Sequence, residues 1–129
     1  MNYYIATRLD RAADHNRLRD LLHAHGHTIT YDWTHHGSVQ KDKPERIREV
    51  ALAETSGVLR ADVVVVLLPG GRGTHTELGM ALASGKSVIV QADPVHGFFA
   101  ADERTCAFYH HPLVRRAEQI EDVVAMLAP

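Results

Sequence analysis

Apolar residues fall along this chain in short blocks of two kinds, one of strand length and one at helical spacing. Tyr3-Tyr4-Ile5-Ala6 is short, aromatic and apolar throughout, which predicts a buried strand. Leu18, Leu21 and Leu22 share one helical face within residues 11–25, and Gly26 follows as a helix stop. Residues 27–33 alternate and are rich in β-formers, predicting a second strand. Residues 35–44 are polar, with Gly37, Ser38 and Pro44, and read as a loop. A second helix is expected over 45–59, with Ile47, Val50, Ala51, Glu54 and Val58 at helical spacing. Residues 63–68 are apolar at every position, the mark of a central strand buried on both faces. Pro69-Gly70-Gly71-Arg72-Gly73 breaks that strand, and a third helix is expected from Thr74 to about residue 84, stopped by Gly85. Residues 87–91 predict strand four, residues 92–105 are irregular, residues 106–109 are expected as strand five, and 117–127 as a closing helix.

Strands alternating with helices predict an α/β fold: a parallel sheet covered by helices on both faces, within a single domain spanning residues 1–129. In such sheets ligands bind outside the carboxyl ends of the strands, where the strand order reverses. The loops after Ala6, Trp33 and Leu68 should therefore surround one crevice.

Composition narrows the function classes. The net charge is −2 with both signs interspersed, so no basic field points to a nucleic-acid partner. The longest apolar run is too short to span a bilayer. The start, Met-Asn-Tyr-Tyr-Ile-Ala-Thr-Arg, lacks the pattern of a secretory signal, and one cysteine, Cys106, allows no intrachain disulfide. A cytoplasmic protein is expected. The ten histidines should swing the net charge positive as pH falls through about 6.5. His23, His25 and His27 alternate, but they cross a helix end and should diverge, so no metal site is expected.

The chemistry lies between Ala61 and Lys86, where a glycine-rich turn leaves a central strand and enters a helix. Glycine lets backbone approach a ligand, and a helix start offers free N–H groups. No Lys-Ser/Thr follows the glycines, so this is not a Walker loop. A dinucleotide fingerprint would follow the first strand. A response regulator would carry an aspartate at the end of residues 63–68, and none is there. Glu77 has two readings on pattern alone. Thr74-x-x-Glu77 has capping-box spacing, with the glutamate reaching back to the N-cap amide. The same carboxylate in a helix's first turn would be kept ionised by the dipole, which suits a nucleophile.

The segment also resembles the nucleoside 2-deoxyribosyltransferase-like superfamily, which includes nucleoside 2-deoxyribosyltransferases and nucleoside monophosphate N-hydrolases. The matching pieces are Tyr4-Ile-Ala-Thr7, Ala61-Asp62 before the apolar strand, and Gly73-x-x-x-Glu77-Leu-Gly-x-Ala81 with Gly85-Lys86. They keep their order over roughly residues 3–91. The resemblance implies a flavodoxin-like, Rossmann-like three-layer domain of about five parallel strands. It implies that Glu77 is a nucleophile that attacks the anomeric carbon, expels the base and forms a glycosyl ester. It places Glu54, eight positions before Asp62, where the family carries an acid that orients the nucleophile or binds a sugar hydroxyl. The family usually has aspartate there, and an ordinary solvated helix residue is the other reading.

The loop Thr7-Arg8-Leu9-Asp10 stands where the family binds base or phosphate. Arg8 could pair with phosphate or stack on a base, or be an exposed loop arginine. Gly71, Arg72 and Gly73 could line the sugar or phosphate pocket, or simply form a tight turn. Trp33 could stack on a base and Asp32 accept a hydrogen bond from one. His110 and His111 lie in the C-terminal part, which in this superfamily often reaches a neighbouring subunit's site. The implied protein acts on a small-molecule nucleoside or nucleotide as a homo-oligomer, with no cofactor. The alternative is a catalytically inactive nucleotide-binding or sensing module of the same fold.

Overall fold

The computed structural model describes residues 1–127. Its centre is a five-stranded, wholly parallel sheet. The strands are β1 (Asn2–Ala6), β2 (Thr28–Ile29), β3 (Val63–Leu67), β4 (Ser87–Gln91) and β5 (Val114–Ala117). The helices are α1 (Ala12–Ala24), α2 (Pro44–Arg60), α3 (Arg72–Ala83) and α4 (Ile120–Leu127). The sheet order is β2-β1-β3-β4-β5, the flavodoxin-like order, which reverses between β1 and β3.

Period-two alternation along the central strands divides the core. Tyr4, Ala6, Val64, Val66, Val88 and Val90 join the cluster that includes Val58 of α2 and Leu78 and Ala81 of α3. Tyr3, Ile5, Val63, Val65, Leu67 and Ile89 join Leu18 and Leu22 of α1 and Ile120 and Val123 of α4. All five residues of β3 are buried, as their apolar run requires. Asp62 ties the start of β3 to β1 by accepting from the Asn2 amide at 2.8 Å. Lys86 donates its Nζ to the Leu59 carbonyl at 2.7 Å, covering the carboxyl end of α2.

Two expected strands differ. Residues 27–33 pair with β1 only over Thr28–Ile29. Beyond it the Thr30 hydroxyl donates to the Gly57 carbonyl at 2.6 Å, Asp32 caps a turn, and Trp33–His35 form a short 3-10 helix. Residues 106–109 are not strand five, since Ala107–His110 form a 3-10 helix. The fifth strand is Val114–Ala117, where exposed Arg115 and Arg116 on a sheet edge leave no apolar block to read. The closing helix accordingly starts at Ile120 rather than 117, with the Gln119 amide donating to Asp122 at 2.9 Å. No described helix is long and apolar enough to cross a membrane.

Candidate functional site

The reversal in strand order opens a crevice above β1 and β3. A pocket of about 310 Å³ lies there, lined by the segment 7–9 after β1, the segment 36–40, α2 and the start of α3. Thr7, Arg8, Trp33, Glu54, Gly71, Arg72, Gly73 and Glu77 all line it.

Glu77 projects from α3 on the same buried face as Thr74, Leu78 and Ala81. Its side chain accepts a hydrogen bond from the Tyr4 hydroxyl at 2.6 Å. The carboxyl is pushed up to about 8, first by burial and then by the charge of Glu54, while the Tyr4 hydrogen bond opposes the rise. Burial and the facing carboxylate in turn push the Tyr4 hydroxyl far above its usual range, so Tyr4 keeps its proton and donates a hydrogen bond to Glu77.

These facts correct two expectations. Helix α3 begins at Arg72 with Gly71 as N-cap, two residues earlier than the apolar pattern indicates, so Glu77 lies in the second turn. The cap is Thr74, whose hydroxyl accepts from the Gly71 amide at 3.1 Å, and Glu77 plays no part in it. Nor does the helix dipole hold Glu77 ionised, because burial outweighs it.

The glycine turn is fixed from several sides. Gly70 must be glycine, since a Cβ there would meet Thr74 Cγ2 at 2.5 Å. The Gly71 carbonyl accepts from His75 Nδ1 at 2.7 Å, and His75 Nε2 lies 2.6 Å from the Tyr109 hydroxyl. A carbonyl only accepts, so Nδ1 carries a proton, and in the neutral ring Tyr109 donates to Nε2. Thr7 is anchored differently, its hydroxyl donating to the Leu67 carbonyl at 2.7 Å. Arg8 is half exposed and pairs with Asp10 at 3.0 Å. Arg72 is exposed at the mouth of the turn.

Glu54 of α2 is partly buried, and its carboxyl is raised by burial with His36 opposing. It is therefore not the freely solvated helix residue of the alternative reading. Trp33 is buried, its indole N–H donating to the Ile5 carbonyl at 2.9 Å. Asp32 and His111 do not line the pocket. Asp32 turns toward α1, where Arg19 Nη1 donates to it at 2.7 Å and the Thr34 amide at 2.9 Å. Burial works against its charge, but the hydrogen bonds from Thr34 and Arg19 outweigh it and hold the carboxyl below its usual range. His111 accepts from the Leu113 amide at 3.0 Å and helps lead the chain into β5. Among the described residues no group of three metal-ligating side chains converges.

Sequence reasoning missed Tyr4, which holds Glu77, and His36, which lines the pocket. Tyr4 sits in an apolar block that reads as plain core, and its partner is 73 residues away. His36 lies in a polar loop whose only signal is the neighbouring Gly37.

The model of one family, nucleoside 2-deoxyribosyltransferase, matches residues 3–112. The chain belongs to the nucleoside 2-deoxyribosyltransferase family. No curated protein sequence matches it. Solved structures of this fold include the CMP N-glycosidase BcmB of Clostridium botulinum, 14% identical with a TM-score of 0.66 over 98% of both chains. A 2-deoxyribosyltransferase of Bacillus psychrosaccharolyticus is 18% identical with a TM-score of 0.67, over 99% of this chain and 96% of that one. A conserved protein of Enterococcus faecalis V583 is 20% identical with a TM-score of 0.65, over 97% of this chain and 95% of that one. In this family member the matched region contains Tyr3–Ala6 of β1, the glycine turn and Glu77, and every pocket-lining residue falls inside it.

Proposed function

We propose that this protein cleaves or transfers at the N-glycosidic bond of a nucleoside or nucleoside monophosphate, with Glu77 as nucleophile. The observation that carries this reading is a buried carboxyl lining a ligand-sized pocket and held by one hydrogen bond, from Tyr4. A carboxylate stripped of water is more reactive toward an electrophilic sugar carbon than a hydrated one. One oxygen of Glu77 attacks the anomeric carbon as the bond to the base breaks, and the bonding pair leaves with the base. The resulting ester is opened by water in a hydrolase or by a second base in a transferase. Tyr4 would hold the other oxygen and set the angle of attack.

Family membership and the fold support the reaction class, and the presence of Glu54 in the pocket lining supports a role for it in binding a sugar hydroxyl or orienting the nucleophile. Arg8 and Arg72 lie at its mouth, where a 5′-phosphate would be received. Replacing Arg8 should then weaken phosphorylated ligands more than unphosphorylated ones, and equal weakening would remove that role. Apolar side chains exposed on α2, Leu52 and Leu59, fit the homo-oligomer expected of the family, which sedimentation would test.

The deciding assay is chromatographic detection of free base. Wild type and Glu77→Gln are incubated with ribo- and deoxyribonucleosides and their monophosphates, with and without an acceptor base. Release by wild type alone is expected, and dependence on acceptor separates transferase from hydrolase. The rival, a module that binds nucleotide without turnover, is favoured by the raised Glu77 carboxyl, which keeps a proton at neutral pH. Ligand-dependent thermal shifts with no base released would establish that rival.

A further inference from the structure

Expelling a nucleobase needs more than a nucleophile, because a base departs poorly as an anion. Five titratable side chains line the pocket: Arg8, Arg72, Glu54, Glu77 and His36. The arginines do not give up protons in proteins. Glu77 is committed to the anomeric carbon if the function proposed above holds. Glu54 and His36 remain.

His36 is held by a turn built into the sequence. Its amide and that of Gly37 both donate to the Trp33 carbonyl, at 3.3 and 3.1 Å. Gly37 has φ +64, a left-handed conformation that glycine adopts without strain. The ring Nδ1 lies 2.8 Å from the Gly37 carbonyl. That oxygen only accepts, so Nδ1 carries a proton in every state of the ring. Nε2 is buried and has no hydrogen-bond partner. Leaving a buried polar nitrogen unpaired is costly, and that cost is tolerated more often at working sites than elsewhere. Trp33 and Val50 supply apolar walls to the same pocket, and Tyr31 packs against the ring at 5.8 Å.

We propose that His36 is the acid–base residue for the nucleobase, passing a proton through Nε2, with Glu54 as the carboxylate that stabilises its cationic form. The inference rests on the glycosidic reading of the pocket. In the first half-reaction Glu77 forms its bond to the anomeric carbon while the C–N bond breaks. The electron pair goes to the base, and the Nε2 proton of cationic His36 goes to a ring nitrogen or conjugated oxygen of that base. His36 is left neutral. In the second half-reaction neutral Nε2 takes a proton from the incoming water or base as it attacks the anomeric carbon, and Glu77 leaves as carboxylate. Both side chains line the same pocket, and a cationic His36 opposes the rise that burial imposes on the Glu54 carboxyl, which fits this pairing.

The test compares two substrates on three proteins. One substrate is whichever nucleoside or nucleotide wild type turns over. The other is its counterpart with a base that leaves with little or no protonation: an N7-methylated purine or a 5-fluorinated pyrimidine. His36→Asn should lose about 10²–10⁴-fold in kcat/KM on the ordinary substrate and much less on the activated one. Glu54→Gln should show the same selective loss, but smaller. Equal loss by His36→Asn on both substrates would reduce His36 to a structural part of the loop. Wild-type rates in His36→Asn, with a selective loss in Glu54→Gln, would transfer the acid role to Glu54. Base release by neither wild type nor variants would sink the glycosidic reading itself, an outcome distinct from the other two.

Discussion

Asp32, partly buried, and Glu77, buried, are two acids near the same edge of the sheet, and their surroundings drive them in opposite directions. Asp32 sits beside α1 and is filled with donors: Arg19 Nη1 at 2.7 Å and the Thr34 amide at 2.9 Å, with His35 at 3.2 Å. Glu77, on the other face, has the Tyr4 hydroxyl at 2.6 Å. Both lose solvation, yet Asp32 falls below its usual range and Glu77 rises to about 8. Burial alone therefore does not fix an acid's role. A carboxylate with its lone pairs occupied holds the chain together. One left with unfilled lone pairs beside a cavity is available for chemistry.

Exchanging each acid for its amide should break this pair apart most clearly. Glu77→Gln should lower base release by at least about 10³-fold, as loss of a nucleophile does, with the fold retained. It should also leave the start of α3 intact, because Thr74 supplies the cap. Asp32→Asn should keep base release within about threefold but lower stability by about 1–3 kcal/mol, since Arg19 loses its charged partner. Urea denaturation and the base-release assay on both variants check the contrast. A large activity loss in Asp32→Asn, at a temperature where it stays folded, would contradict it.

Tyr4→Phe sharpens the same contrast by removing Glu77's donor without changing the core volume much. The hydrogen bond favours the charged carboxylate, so its loss should push Glu77 further up. With the activated-base substrate, which needs no acid, the wild-type pH profile of kcat/KM should climb through about 8 as Glu77 ionises. In Tyr4→Phe that limb should move to higher pH, and the plateau should drop about 10- to 100-fold, the worth of a hydrogen bond to a charge. An unmoved limb would separate Tyr4 from the titration.

These contrasts also mark what the sequence could and could not disclose. The central sheet was legible because β3 must be apolar on both faces and the glycine break after it is unmistakable. The spacing from that break puts Glu77 on α3 beside the crevice. Its environment was not legible, because a hydrogen bond between β1 and α3 leaves no trace in local pattern. The capping box misled for a related reason: where α3 starts depends on how the Gly70–Gly71 turn packs on Thr74, not on where apolar spacing begins. Asp32 and Trp33 are adjacent, but the strand ends at Ile29 and the following turn sends the acid toward α1 and the indole to the pocket wall. Edge strand β5 escaped notice because half-exposed strands carry arginine where buried ones carry valine.

The smallest effect concerns stability rather than rate. The folded protein holds the Glu77 proton up to about 8, whereas an ordinary glutamate in the unfolded chain releases it near 4.5. Between those values the folded state binds the extra proton, so its stability must fall as pH rises. The stabilisation is fully present below 4.5 and gone above about 8. Glu77→Gln has no such proton, while every histidine is common to both proteins and cancels in the difference. Unfolding free energies of wild type minus variant should thus decline from pH 4.5 to pH 9, by about 1–3 kcal/mol once relaxation around the buried group is allowed for. A flat difference would mean that Glu77 ionises like a solvated acid. It would then differ from Asp32 only in its neighbours, and the rising limb of the activity profile would have to come from another group.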